Sequence, residues 1–301
     1  MNSLFIRSFA KINLGLLVKD KRPDGYHNIE TIFVPIRLSD EIRLKKIKKN
    51  IIIKILNQKI KIPKGKTNLA FKAAKLFFDK SGILPGIEIT IKKRIQVGAG
   101  LGGGSSDGAA VLQGLNKLYN KPLSKEELRG LALKIGMDVP FFLTGKSCYA
   151  TGRGELLEPI KIPKLNIVLY CPEYPIITKW AYQQISKIKY QISKISFKLK
   201  NKRLLTNAHL SFMILRNKLV KGDLSNLQRH IRNSFEDLVF AHYPDLARIK
   251  EIFRFNGAYA ASLSGSGSAV FGLVEKKDIS VLKTALKKNK IKAVFTESIS
   301  R

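Results

Sequence analysis

Apolar positions change their period several times along this chain, and each change predicts an element. Phe5 to Val18 reads as a strand or strand pair. Lys21-Arg22-Pro23-Asp24-Gly25 reads as a turn, because proline presets φ and Asp-Gly accepts positive φ. Glu30–Leu38, Glu41–Ile47 and Ile51–Ile62 predict further strands of a meander. In the last of these lysine alternates with isoleucine, the pattern of a half-buried strand with one solvated face. From Thr67 to Lys80 the period lengthens: Leu69, Ala73, Leu76 and Phe77 share one helix face, and Gly82 supplies a stop. Ile87–Val97 predicts a strand that leads into a run of glycines.

Ser124-Lys125-Glu126-Glu127 has the spacing of a capping box and opens a helix that stops at Gly136. A short strand is expected after Asp138. Leu165–Cys171 reads as a buried strand, and residues 176–235 mainly as helices with lysine-rich faces. Pro244–Phe255 predicts a helix closed by Asn256-Gly257. The strands Ala258–Leu263 and Ser268–Val274 flank a second small-residue turn, Ser264-Gly265-Ser266-Gly267. A helix over Ile279–Lys288 and a strand over Lys292–Glu297 complete the chain. This mixture of meander and crossover predicts an α+β fold, not an alternating parallel sheet. Pro159 and Pro163 suggest a boundary, giving domains 1–160 and 161–301.

Composition narrows the class. The 301 residues are 45% hydrophobic and 26% charged, as in ordinary globular proteins. No apolar run reaches membrane-spanning length. Met1–Lys19 carries Arg7 and Lys11 inside its apolar run, which fits a first strand better than a leader. Cys148 and Cys171 lack metal spacing and read as two reduced thiols in a cytoplasmic protein. The formal net charge is +33. Its lysines are spread along the chain, so compositional bias explains them more simply than a nucleic-acid surface. A field that attracts small anionic substrates is the other reading. Oligomeric state is not legible.

The run Val97-Gly98-Ala99-Gly100-Leu101-Gly102-Gly103-Gly104-Ser105-Ser106-Asp107 carries the chemistry. A loop without side chains that opens a helix presents bare N–H groups and a positive dipole end to an anion, most often phosphate. Its GxGxxG lies too far along the chain for a dinucleotide fold and lacks a matching acidic residue. No lysine follows the glycines as a Walker loop requires, and protein-kinase triplets are absent. Ser105, Ser106 and Asp107 have two possible jobs, capping the helix or reaching phosphate oxygens and magnesium.

Three segments together resemble one family. They are Ala10-Lys11-Ile12-Asn13-Leu14 with Arg22-Pro23-Asp24-Gly25-Tyr26-His27; Gly98 to Asp107; and Gly136-Met137-Asp138-Val139-Pro140-Phe141-Phe142. They resemble the GHMP-type small-molecule kinases, and within these the branch acting on a cytidine-diphosphate-linked methylerythritol. Ser264–Gly267 matches the superfamily's C-terminal glycine motif, and Asn233–Glu236 a further signature. Gln96, Gly108 and Ser234 stand where proline, alanine and aspartate are common.

The resemblance implies a two-domain GHMP kinase fold, with a ribosomal protein S5 domain 2-like N-terminal domain and a ferredoxin-like C-terminal domain. It implies ATP-dependent phosphorylation of the acceptor's 2-hydroxyl, in non-mevalonate isoprenoid synthesis, with Mg²⁺. It implies Lys11 and Asp138 as catalytic residues. ATP would meet Asn68, Leu69, Lys93, Gly98, Gly100, Leu101, Gly102, Gly103, Gly104, Ser105, Ser106 and Asp107. The acceptor would meet Asn13, Tyr26, His27, Thr178, Tyr182 and Gly265; metal ligands are not assigned. The rivals are a homoserine, mevalonate or sugar kinase, which has no use for a stacking tyrosine after Asp-Gly, and a basic nucleic-acid-binding protein.

Overall fold

The computed structural model describes residues 2–56, 62–196 and 203–299. They form two compact units, each drawn from separate stretches of chain: 1–11, 35–97 and 102–146 in the first, and 12–34, 98–101 and 147–301 in the second. The long strands β1 (Ser3–Lys21) and β2 (His27–Lys46) contribute residues to both.

In the first unit these are followed by β3 (Asn50–Leu56), α1 (Leu69–Ser81), β4 (Gly86–Lys92), α2 (Gly103–Leu118), α3 (Lys125–Ile135) and α4 (Val139–Thr144). β3 runs parallel to β4, with Ile53 opposite Ile89 and Ile55 opposite Ile91. β4 runs antiparallel to the end of β2, with Ile42 opposite Ile91 and Leu44 opposite Ile89. These side chains form buried rows beneath Ala70, Ala73, Ala74, Phe77 and Phe78 of α1 and the apolar face of α2. On the opposite face Lys54 pairs with Glu88 at 2.6 Å. Within β3 the alternation of Ile53, Lys54 and Ile55 is thus the imprint of a sheet covered on one side. Each large apolar side chain so buried contributes roughly 1.5–3 kcal/mol.

Several expectations need correction here. β3 is not part of a meander: a parallel pair needs a crossover, and α1 supplies it. The stretch 57–61 of the expected strand lies outside the described residues. The two strands expected over 30–47 are one strand, β2, which pairs with β5 at Thr31–Phe33 and with β4 at Glu41–Lys46. Pro35, which has no N–H to give, falls between those two ladders. β4 stops at Lys92, where Lys93 turns to buried carboxylates. The short strand expected after Asp138 is the helix α4, with Pro140 in its first turn, where a missing N–H costs nothing.

Helix ends follow ordinary cap chemistry, and α1 begins at Leu69, two residues after the expected Thr67. Asn68 caps α1, its Oδ1 accepting from the N–H of Ala70 at 2.9 Å and Phe71 at 3.3 Å. Gly82 ends α1 with φ 69° and donates to the Phe78 carbonyl. The Ser124–Glu127 capping box is formed on α3. Gly108 lies close against α1: a Cβ there would sit 3.3 Å from the Leu69 carbonyl oxygen.

The second unit continues with β5 (Cys148–Thr151), β6 (Leu156–Pro159), β7 (Asn166–Tyr170), α5 (Thr178–Ser196), α6 (Arg203–Val220), α7 (Glu236–His242), α8 (Pro244–Phe255), β8 (Ala258–Leu263), β9 (Val270–Val274), α9 (Ile279–Lys288) and β10 (Val294–Glu297). Residues 197–202, within the expected helical stretch, lie outside the described residues. β10, β7, β9 and β8 form an antiparallel sheet in that order. Val168, Phe253, Ala261, Val270 and Leu282 belong to its core. β5 and β6, four residues each, were too short to register as periodic segments.

Residues 98–101 meet the turn 264–267 backbone to backbone. Ala269 N–H donates to the Ala99 carbonyl at 3.0 Å, and Ser264 Oγ to the Gly100 carbonyl at 3.1 Å. Gly100 has φ +75°, and a Cβ there would lie 2.0 Å from the Ser264 carbonyl oxygen. Gly104 has only Leu69 Cδ1 near, at 3.7 Å. Gly100→Ala is therefore expected to destabilise by about 2 kcal/mol or more, whereas Gly104→Ala stays within about 1 kcal/mol of the wild type. Denaturant unfolding of both variants checks the contrast, and equal losses would refute it.

Candidate active site

The glycine run is divided between the units. Its first part, Gly98–Leu101, is held in the second unit. Besides the contacts of Gly100, the Gly98 carbonyl accepts from Ile176 N–H at 3.0 Å, and Pro175 fills the space where a Gly98 Cβ would stand. The Asn233 signature braces the facing turn: its Nδ2 donates to the carbonyls of Leu263 at 2.8 Å and Gly265 at 2.9 Å. Glu236 accepts from Ser262 Oγ and Leu263 N–H through one carboxylate oxygen and pairs with Lys250 through the other. These fixed partners give that signature a structural meaning that its residue types alone do not reveal.

The second part opens α2 in the first unit. Gly102 caps the helix with φ 70° and offers no side chain to the first amides. The N–H groups of Gly103, Gly104 and Ser105 precede the first intrahelical donor, Ser106, which bonds to the Gly102 carbonyl at 2.8 Å. A helix of 16 residues thus begins with amides that no side chain caps, at its positive dipole end. That arrangement suits an anion.

The two polar residues that follow are turned inward. Ser106 Oγ donates to the Phe9 carbonyl at 2.6 Å and accepts from Ser8 Oγ at 2.8 Å, so its one proton is used within the fold. Asp107 is buried and accepts from Lys93 Nζ at 2.8 Å. Lys93 also donates to Asp40, which in turn accepts from the N–H of Ile95 at 2.8 Å and from the N–H of Arg94. Burial works against the Lys93 charge, but Asp107 and Asp40 outweigh it and hold its pKa above the ordinary lysine value. Burial pushes Asp107 up to about 7 against the pull of Lys93, and the Asp40 carboxylate adds to the rise. Asp107 Oδ1 has no hydrogen-bond partner. Asn68 and Leu69 flank the same end of α2, Leu69 beside Gly104 and Gly108. Asp40 was not among the residues singled out from sequence. Its signal, an acidic residue inside an apolar strand, is weak by itself.

Lys11 and Asp138 come together in the same unit. Lys11 Nζ lies 3.9 Å from Asp138 Oδ2, with the lysine side chain 5% exposed and the aspartate 35%. Burial lowers the Lys11 pKa, and Asp138 restores part of the loss. Asp138 stands at the start of α4, yet its side chain makes no capping bond. A Cβ on Gly102 would lie 2.7 Å from Phe142 Cζ and 3.3 Å from Lys11 Cε, which puts the pair beside the mouth of α2.

The second unit holds the other polar constellation. The Thr31 hydroxyl gives its only proton to the Gly15 carbonyl at 2.7 Å, so it must accept from Asn13 Nδ2 at 2.8 Å. That fixes which way the Asn13 amide faces. By the same proton count, Ser186 Oγ donates to the Tyr182 carbonyl at 2.9 Å and accepts from His27 Nε2 at 3.0 Å, which sets the His27 tautomer. The His27 and Tyr182 rings lie 5.5 Å apart, and Tyr182 meets Phe235 edge-on at 4.9 Å. Thr178 Oγ1 accepts from Ser266 Oγ at 3.1 Å, beside Gly265. Tyr26, 52% exposed, stands on the Arg22–His27 turn. Arg153, which sequence reading passed over, places its guanidinium 5.3 Å from the Tyr26 ring centroid. Among the described residues no group of three or more His, Cys, Asp or Glu could hold a metal by itself.

Residues 68–146 match the GHMP kinases N terminal domain, and residues 215–292 match the GHMP kinases C terminal domain. A 4-diphosphocytidyl-2-C-methyl-D-erythritol kinase of Chlorobium phaeobacteroides is 40% identical over 278 residues, which is 92% of this chain and 91% of that protein. A crystal structure of 4-(cytidine 5'-diphospho)-2C-methyl-D-erythritol kinase superposes with a TM-score of 0.76 at 31% identity, covering 99% of this chain and 100% of the other. A homoserine kinase from Cytophaga hutchinsonii superposes at 0.73 with 18% identity, covering 100% of this chain and 95% of that one, a likeness of fold alone. Relatives this similar, over this much of its length, show that the chain belongs to the 4-diphosphocytidyl-2-C-methyl-D-erythritol kinase family of the GHMP kinases.

Proposed function

We propose that this chain transfers the γ-phosphoryl group of ATP to the 2-hydroxyl of 4-diphosphocytidyl-2-C-methyl-D-erythritol. The observation that carries the mechanism is the Lys11–Asp138 pair, 3.9 Å apart, next to the uncapped start of α2. Phosphoryl transfer asks little covalent work of a protein; it needs alignment and neutralised charge. The bare amides of Gly103, Gly104 and Ser105, with the α2 dipole, would hold phosphate oxygens. Asp138, not spent on capping, would orient the acceptor hydroxyl and take its proton as the new P–O bond forms. The Lys11 ammonium, 3.9 Å from that carboxylate, would offset charge on the transferred group. Adenine would rest near Asn68 and Leu69.

Lys93, Ser106 and Asp107 enter this reading chiefly as the frame that fixes the helix mouth, since their hydrogen bonds are made within the fold. One acceptor is left over: the buried Asp107 Oδ1 would be the carboxylate oxygen to hold a cation at this end of α2. Magnesium, which binds through one or two carboxylates plus substrate phosphates, supplies further charge neutralisation when present. Asn13, Tyr26, His27, Thr178, Tyr182 and Gly265 would meet the acceptor, the tyrosines stacking on its base. Among the described residues no helix is long and apolar enough to cross a membrane. A cytosolic location, expected from cysteine usage, belongs to the same reading.

ADP release from Mg-ATP, offered with a panel of alcohols, tests the proposal. Release is expected with the cytidylylated methylerythritol; release with homoserine, mevalonate or galactose in its place would overturn it. Asp138→Asn is expected to cut kcat by about 10²-fold or more with the fold intact, and near-normal turnover would remove it as the base. The buried ammonium predicts an early alkaline limb. Lys11 loses its proton below the ordinary 10.5, so kcat should fall with a midpoint under that value. Stability should move the other way. Through the same interval the unfolded chain binds more protons than the folded one, so unfolding free energy rises with pH. A kcat profile flat to the ordinary lysine range would contradict the assignment.

A further inference from the structure

Tyr26 has a partner whose geometry suggests a job. Two turns of the second unit are tied together. In the first, Arg22 N–H donates to the Tyr26 carbonyl at 2.7 Å, and Asp24 Oδ1 accepts from Tyr26 N–H at 3.1 Å. In the second, Arg153 stands between Gly152 (φ +68°) and Gly154 (φ +106°), just beyond β5. The Gly152 carbonyl accepts from Ile29 N–H at 2.7 Å, which joins the second turn to β2.

The Arg153 side chain crosses from one turn to the other. Its Nε donates to Glu155 Oε1 at 3.3 Å, and its Nη1 lies 3.8 Å from Asp24 Oδ2. The Glu155 carboxylate also accepts from the Arg153 backbone N–H at 2.6 Å, which fixes the base of the side chain. Two carboxylates therefore already answer the guanidinium's charge. What remains for it to contribute is a plane held in place over an aromatic face. A ring half open to water would otherwise sample several rotamers, and ordering it on binding would cost entropy.

We propose that Arg153 is a positioning residue, which tethers the Tyr26 ring and presents it preorganised to the pyrimidine base of the acceptor. The assignment rests on the stacking role given to Tyr26 above. It predicts that Arg153 acts through Tyr26 and not by contact with the substrate's phosphates. It also separates Arg153 from lysine at this position, because an ammonium keeps the charge but not the plane.

A double-mutant cycle on the full chain tests it, with cytidine 5'-diphosphate as the competing ligand and the acceptor KM as the second readout. Arg153→Met should weaken cytidine 5'-diphosphate binding by about two- to fivefold, the range of an exposed cation–π contact. It should raise the acceptor KM in step, while kcat and the ATP KM stay within about twofold. In a Tyr26→Ala background the same substitution should have no further effect. Arg153→Lys should show the same pattern at reduced size, and it serves should the methionine variant fail to fold. Losses that add in full across the two backgrounds would overturn the tether, as would an Arg153→Met protein that binds like wild type. Tyr26→Ala without effect on cytidine 5'-diphosphate would instead bring down the stacking role itself, and this assignment with it.

Discussion

Main chain pressed against main chain is the constraint on which the candidate active site depends. Gly100 occupies space that a single methyl group would contest with the Ser264 carbonyl. That approach lets Ala269 and Ser264 bond to the loop, and it settles where residues 98–101 run. Two residues later α2 begins with amides that no side chain caps. A loop anchored by its backbone needs no side chains of its own, and the helix mouth it leads to keeps its first N–H groups uncapped. The glycines thus have two distinct causes. Gly100 is required by its neighbour's carbonyl and its φ, whereas a Cβ on Gly104 would make ordinary contact with Leu69, and its absence keeps the helix mouth bare.

Buried charge is used sparingly and always answered. Lys93 is enclosed with Asp40 and Asp107, and Lys11 is enclosed with Asp138 at the edge. In the second unit, Glu30 is fully buried and accepts from Lys19 at 2.9 Å, His209 at 2.9 Å and Tyr149. Burial opposes its charge, but these donors hold its pKa below the ordinary carboxylate value. Stripping such a group of all its partners would leave a charge in a dry setting, which costs far more than a pair itself contributes. These clusters lie where strands and helices must be held at fixed distances, so they read as positioning devices for the elements that carry Lys11, Asn13 and α2. The chain's +33 net charge is a different matter. It comes from basic residues spread along the whole sequence, and it does not explain the site.

Proton counting along short chains of hydroxyls gives the polar constellation its direction. A hydroxyl has one proton, and a carbonyl can only accept. Once Thr31 is committed to Gly15 and Ser186 to Tyr182, the Asn13 amide and the His27 ring have no choice of orientation. Neither Thr31 nor Ser186 belongs to a recognisable motif. Their importance follows from what stands beside them after folding.

Periodicity and cap chemistry, read along the chain, determined most of the elements: α1 with its Gly82 stop, the capping box on α3, and β8 and β9 around the second glycine turn. The residue types also marked the glycine loop as an anion-binding candidate, whereas Lys11 and Asp138 stood out only through the resemblance of their segments to a known family. The caps, stops and loop are local, since the partners lie within a few residues or the residue types carry their own signal. Folding alone decided that β3 runs parallel to β4, that β2 continues past Pro35, and that residues after Asp138 coil into α4. It also decided that Lys11 meets Asp138 across 127 positions of sequence, that Lys93 finds Asp40, and that Arg153 reaches Tyr26. Those outcomes rest on pairings between distant segments, whose free energy comes from burial and backbone hydrogen bonds formed only once the whole core closes. No local pattern encodes which distant carbonyl, carboxylate or ring will be waiting there.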